Sequence, residues 1–154
     1  MLISPFAYMP PARALDGLPM AQAGQRVSGA PHSVVEIVAH MVYWQRWFLD
    51  RCAGMAAPMA AKAETGWPAA GPGDWDALRG QFLEGLERAA EITGQESDGG
   101  RRVDPPIEFP PLANYTVSDA IAHIALHNAH HLGQIITLRQ LAGAWPPPEG
   151  SWTW

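Results

Sequence analysis

The chain has 154 residues, a formal charge of -5 and an isoelectric point near 5.6. Apolar residues make up 47% and charged residues 16%, which excludes a disordered chain and leaves one globular domain, 1–154, able to bury a sizeable core. Basic residues are scattered and form no run, so no nucleic-acid partner is expected. The single cysteine, Cys52, rules out an internal disulfide and any thiolate-built structural zinc site.

The N-terminal segment lacks both a basic region and a continuous apolar run, so no secretory signal is expected. No stretch approaches the ~18 apolar residues of a membrane span. A soluble cytoplasmic protein with no membrane partner is the expectation.

Proline and glycine clusters parse the chain into helical elements. Pro10 and Pro11 suit the first turn of a short helix reaching about Leu15, Pro19 interrupts it, and MAQAGQR adds at most another turn. Ser33-Val34-Val35-Glu36 has the capping-box pattern S-x-x-E and opens a second helix. Val34, Ile37, Val38, Met41, Val42, Trp44, Phe48 and Leu49 then recur at helical spacing to about Cys52, and Gly54 supplies a stop. Residues 54–73 read as a loop.

Asp74 is placed to N-cap a third helix with the apolar stripe Leu78, Phe82, Leu86 and Ala89 or Ala90, ending near Gly94. Residues 95–115, with DGG, DPP and FPP, form a long connection in which IEF suits a short extended piece. Thr116 and Asp119 cap a fourth helix running through Leu141 to a stop at Gly143. The tail AWPPPEGSWTW, 144–154, cannot be helical. The expected fold is all-α, a four-helix bundle with long crossover connections.

Four of the six histidines fall in HIALHNAHHLGQ, residues 123–134. On an ideal helix His123, His127, His130 and His131 share an arc of roughly 100°, a stripe rather than a scatter. His127 and His131, four residues apart, can present two ring nitrogens to one cation. The glutamate of H-E-x-x-H is missing, which disfavours a metalloprotease. A third ligand is expected from another helix, and His40, core-facing between Ile37 and Trp44, fits. The bland alternatives are a surface pair at 127 and 131 and a hydrogen-bonded core imidazole at 40.

His123 suits either an outer contact or polar packing. His130 suits lining a pocket, bonding a ligating group or facing another helix. His32 belongs to a turn. Glu36 has two readings, the helix cap and a carboxylate that orients His40, of which the cap is preferred. Gln134 suits packing inside or bonding across the bundle, and Gly133 a close helix approach.

The segments AHMVYWQRWFL and LHNAHHLGQIITLRQLAG resemble the DinB/YfiT-like family (DinB superfamily) of metal-dependent proteins. Its pattern is a histidine in the second helix and H-x-x-x-H-x-G-Q near the fourth, here His40, then His127, His131, Gly133 and Gln134. The resemblance covers roughly residues 12–143. It implies an up-down-down-up four-helix bundle in which 54–73 or 95–115 crosses the fold. It implies a divalent metal ion, zinc or nickel foremost, on the three histidines with open positions. It also implies a homodimer, and a thiol-dependent S-transferase acting on a small-molecule substrate with a low-molecular-weight thiol. Leu132 stands where many relatives carry a basic residue, and the first helix is short and broken.

No catalytic residue is assigned from sequence. Metal-assisted hydrolysis is a second reading, with Glu36 as base. A non-catalytic metal-stabilised bundle is a third, in which the ion is fully enclosed. Imidazole ligands also suit copper and iron. Cys52 lies twelve residues past His40, about 18 Å along a helix, and reads as a small packed apolar residue rather than a nucleophile. Trp145, Trp152 and Trp154 suit packing on a second subunit or on the chain's own core edge.

Overall fold

The computed structural model describes residues 9–95 and 100–151. Five helices follow in order: α1 Pro11–Leu15, α2 Met20–Ala23, α3 Val34–Cys52, α4 Trp75–Gln95 and α5 Val117–Leu141. The described residues contain no strand, only one isolated antiparallel bridge between Arg102 and Thr116. The expected second, third and fourth helices are α3, α4 and α5. The weak first element is two short helices, divided at the residues before Pro19.

Local chemistry sets the long helices' ends. The Glu36 carboxylate accepts from the Ser33 backbone N–H at 2.7 Å and from its hydroxyl at 2.8 Å. Asp119 accepts from the Thr116 N–H at 2.9 Å, while its own N–H donates to the Thr116 hydroxyl at 3.1 Å. Each such box satisfies backbone groups that an unfinished helix end would leave without partners. Gly54 and Gly143 adopt φ +83 and +68 just past α3 and α5. The next N–H then turns back onto the helix, Met55 to the Asp50 carbonyl and Ala144 to the Arg139 carbonyl.

Two expectations are corrected here. The Asp74 carboxylate does not reach forward as a cap: it accepts from the Gly71 N–H at 2.8 Å and closes the 3-10 turn Pro72–Asp74 that leads into α4. The IEF segment forms no strand, though Phe109 has extended backbone angles, φ -136 and ψ 115. Ile107 is a buried core side chain, and Glu108 and Phe109 form a bend entering the turn Pro110–Leu112.

Two apolar clusters make the core. The first gathers Leu15, Val35, Val38, Met41, Trp75, Phe82 and Ile135; the second gathers Phe48, Leu49, Ala89, Ile107, Ile121 and Ile124. Each fully buried large aliphatic or aromatic side chain contributes about 1.5–3 kcal/mol. Both α3 and α4 run from the first cluster to the second, and α5 runs back. The connection 54–73 therefore has to return along α3, and it is this loop, not 95–115, that crosses the fold. The later connection stays at the second cluster, to which it adds Val103, Ile107 and Leu112.

Two buried arginines tie the connections down. Arg51 donates to the carbonyls of Ala57, Pro105 and Pro106, joining both loops. Arg139 donates to the carbonyls of Ala14, Asp16 and Ala144, holding α1 and the tail to α5. Trp145 packs on the Arg139 guanidinium at 5.5 Å, within its own subunit. Trp152 and Trp154 lie outside the described residues. No helix among the described residues is long and apolar enough to cross a membrane.

Candidate metal centre

His40 sits two turns into α3 and projects toward α5, where His127 and His131 lie one turn apart. The three bring one ring nitrogen each to within 4.8 Å of one another. The Nε2 atoms of His40 and His127 are 3.1 Å apart, and His40 and His131 ring centroids 4.8 Å apart. The structure thus brings together the three residues that helix periodicity selects. His123 and His130 are outside the group.

The outer nitrogens are already engaged. His40 Nδ1–H donates to the Gly66 carbonyl at 2.6 Å, and His131 Nδ1–H donates to Gln134 Oε1 at 2.7 Å. Each bond fixes a tautomer whose Nε2 lone pair is left for the centre. Burial, with neighbouring His131 and His32, pushes the His40 imidazole down to about 4 against the pull of the Gly66 carbonyl. Burial, with His131 and His40, pushes His127 down to about 3. Burial also lowers His131. All three rings are therefore neutral at pH 7, the form that ligates.

The donor set fits a divalent cation. Two nitrogens bound tetrahedrally at ~2.05 Å to one ion stand about 3.3 Å apart, close to the His40–His127 spacing. Among the described residues no carboxylate belongs to the group. The Glu36 carboxylate is occupied by Ser33 and by an ion pair with Arg26, so its role is the cap and it does not orient His40. Cys52 is buried in the second cluster, as its small-residue reading expects.

Other expectations at the motif change. Gln134 is exposed and bonds within its own helix, to His131 and, through its amide nitrogen, to His130 at 3.3 Å; it does not reach across the bundle. Gly133 is exposed, and a Cβ there would meet nothing within 4 Å, so no helix approaches it. His123 is half-buried, its ring tilted against Phe48 with centroids 4.5 Å apart and its Nδ1 3.1 Å from the Tyr115 hydroxyl.

The loop 54–73 supplies residues that periodicity could not find. Trp67 stacks on His40, with ring centroids 3.8 Å apart and planes 11° apart, and His32 stacks on its other face at 3.9 Å and 12°. An open groove of about 480 Å³ lies along α5, lined by Tyr115, His123, Leu126, His127 and His130 among others. His127 is shared between the groove and the three-histidine group. A low-polarity wall with a few convergent polar groups is the usual form of a small-molecule site.

Comparison with known proteins agrees with this geometry. No curated protein and no solved structure compared with the chain matches it. A family model described as the DinB superfamily matches residues 12–135, which take in all three residues of the histidine group. The cluster of His40, His127 and His131 fits a metal-binding protein, and the chain belongs to the DinB superfamily.

Proposed function

We propose that the protein is a metal-dependent thiol S-transferase in which His40, His127 and His131 hold one zinc or nickel ion. The observation that carries the metal reading is the convergence of three neutral imidazoles from two helices within 4.8 Å, two of them with the outer nitrogen already bonded away from the centre. Three protein ligands leave a position open, as in catalytic rather than structural zinc sites. When bound, such an ion supplies Lewis acidity and favours the deprotonated form of a thiol or of water.

The chain's own residues do the rest. Gly66 and Gln134 set the ring directions, burial excludes competing protons, and the groove beside His127 admits a small molecule. S-transfer is favoured over hydrolysis because Glu36, the base that hydrolysis would use, is held in the α3 cap. A low-molecular-weight thiol substrate, a homodimer and a cytoplasmic location belong to the same reading. So does an up-down-down-up four-helix arrangement, with α1 and α2 together in the place of the first helix.

Elemental analysis of the purified protein and of His127→Ala tests the site. About one equivalent of divalent metal in the first and little in the second is expected; equal content in both removes the site. A thiol-consumption assay with a reactive electrophile, on metal-loaded and chelated protein, tests the reaction. Metal content without thiol dependence would favour the non-catalytic bundle or a hydrolase.

A further inference from the structure

We infer that Gly66 and Trp67, in the connection between α3 and α4, are positioning residues for His40, with His32 backing the Trp67 indole from its other face and so completing the clamp. The inference rests on the metal reading above and adds a third element to a centre whose ligands come from α3 and α5. An imidazole is oriented for ligation only when both its in-plane direction and its tilt are held. Gly66 holds the first: its carbonyl takes the Nδ1–H of His40 at 2.6 Å. Trp67 holds the second, its indole lying parallel on the His40 face at 3.8 Å. His32 lies parallel on the opposite indole face at 3.9 Å, so Trp67 is sandwiched between two imidazoles. The same indole meets the His131 ring edge-on at 6.0 Å.

The backbone is adapted to this seat. A Cβ on Gly66 would stand 2.6 Å from Trp44 Nε1, so a side chain there would force the turn away from α3 and carry its carbonyl off His40. Ordinary core filling does not require this arrangement. Trp67 is half-buried at the edge of the first cluster, and hydrophobic burial is non-directional, whereas here two rings are matched within 12° of its plane. The path of the loop explains how it arises: the segment must travel back along α3, and it passes His40 on the way.

The test compares the full-length wild type with Trp67→Leu, Trp67→Phe and His32→Ala. Affinity for Co(II) and Zn(II) is measured by competition with a chromophoric chelator, and the visible absorption of the Co(II)-loaded forms is recorded. Outer contacts of metal-bound histidines are worth roughly 10–100-fold in affinity. Trp67→Leu is expected to weaken binding about tenfold or more and to shift the Co(II) bands. Trp67→Phe, which keeps a stacking face, should stay within about threefold of wild type, and His32→Ala should fall between the two. Trp67→Leu with wild-type affinity and spectrum overturns the clamp. Should that variant not fold, as read by circular dichroism, the half-buried His32 decides: an unchanged affinity and spectrum in His32→Ala overturns it equally. A wild type that takes up neither ion sinks the metal reading, and the clamp with it. A wild type that binds, with every variant equal to it, sinks the clamp alone.

Discussion

Lowering the pH should release metal from this centre far less readily than from an exposed three-histidine site. Protons and metal compete for the same nitrogens, so affinity falls once pH drops below the ligands' pKa. Three imidazoles at the ordinary value of about 6.5 would cost about 10⁴-fold in affinity between pH 7 and pH 5, because each must lose a proton at pH 5. Here burial holds His40 at about 4 and His127 at about 3, so neither takes up an appreciable proton at pH 5. His131 is lowered as well; even left at the ordinary value it would cost only about 25-fold alone. Competition titrations with Zn(II) at pH 7, 6 and 5 should therefore show a loss below about 30-fold. A loss that climbs by about three decades per pH unit below 6.5 would refute the claim that burial keeps these rings neutral.

Four further outcomes follow from the same coordinates. Without metal, stability should decline as pH falls from about 6.5 toward about 4. In that window the unfolded histidines take up protons that folded His40 and His127 do not, and urea melts across pH would read the slope. Saturating zinc at about 100 times its Kd should add about 2.7 kcal/mol, or about 5–11 °C in thermal midpoint, and His127→Ala should show no such gain in calorimetry. Arg139→Met strips donors from three carbonyls, two of them only partly buried, and should cost about 3 kcal/mol of stability by chemical denaturation while leaving metal content unchanged. Cys52→Ser, at a side chain buried in the second cluster and outside the histidine group, should keep its rate in the thiol-consumption assay.

What could be read in advance was what depends on neighbours in sequence. The Ser33–Glu36 and Thr116–Asp119 boxes close over three residues, so the starts of α3 and α5 were visible in the chain. His127 and His131 share a face by helical period alone, and the apolar flanks of His40 aim it inward. The loop residues were not visible, because Gly66 and Trp67 reach His40 only through the return path that parallel α3 and α4 impose. Gly133 and Gln134 match the motif in sequence, yet both face solvent, and only the assembled bundle shows which side of α5 is covered. Arg51 and Arg139 would pass for solvated charges, since Arg51 reaches the Pro105 carbonyl and Arg139 the Ala14 carbonyl, both far away along the chain. Three residues of IEF were too few to separate a strand from a bend around one buried isoleucine.

Between the two apolar clusters lies a polar step. Asn128 Nδ2 donates to Gln45 Oε1 at 2.9 Å, and Gln45 Nε2 donates to the Phe82 carbonyl at 2.9 Å, linking α5, α3 and α4 at one level. Gln45 passes so close to Gly85 that a Cβ there would fall 1.9 Å from its amide nitrogen. Sliding α3 by a turn, about 5.4 Å, would break both bonds, and sliding α4 or α5 would break one of them, each loss of a buried polar partner costing about 1–3 kcal/mol. The step works as an axial ratchet stop, one residue from His127 and five from His40. The histidines of α3 and α5 are thereby kept level with one another, so that, on the metal reading proposed above, cation uptake would complete an alignment instead of creating it.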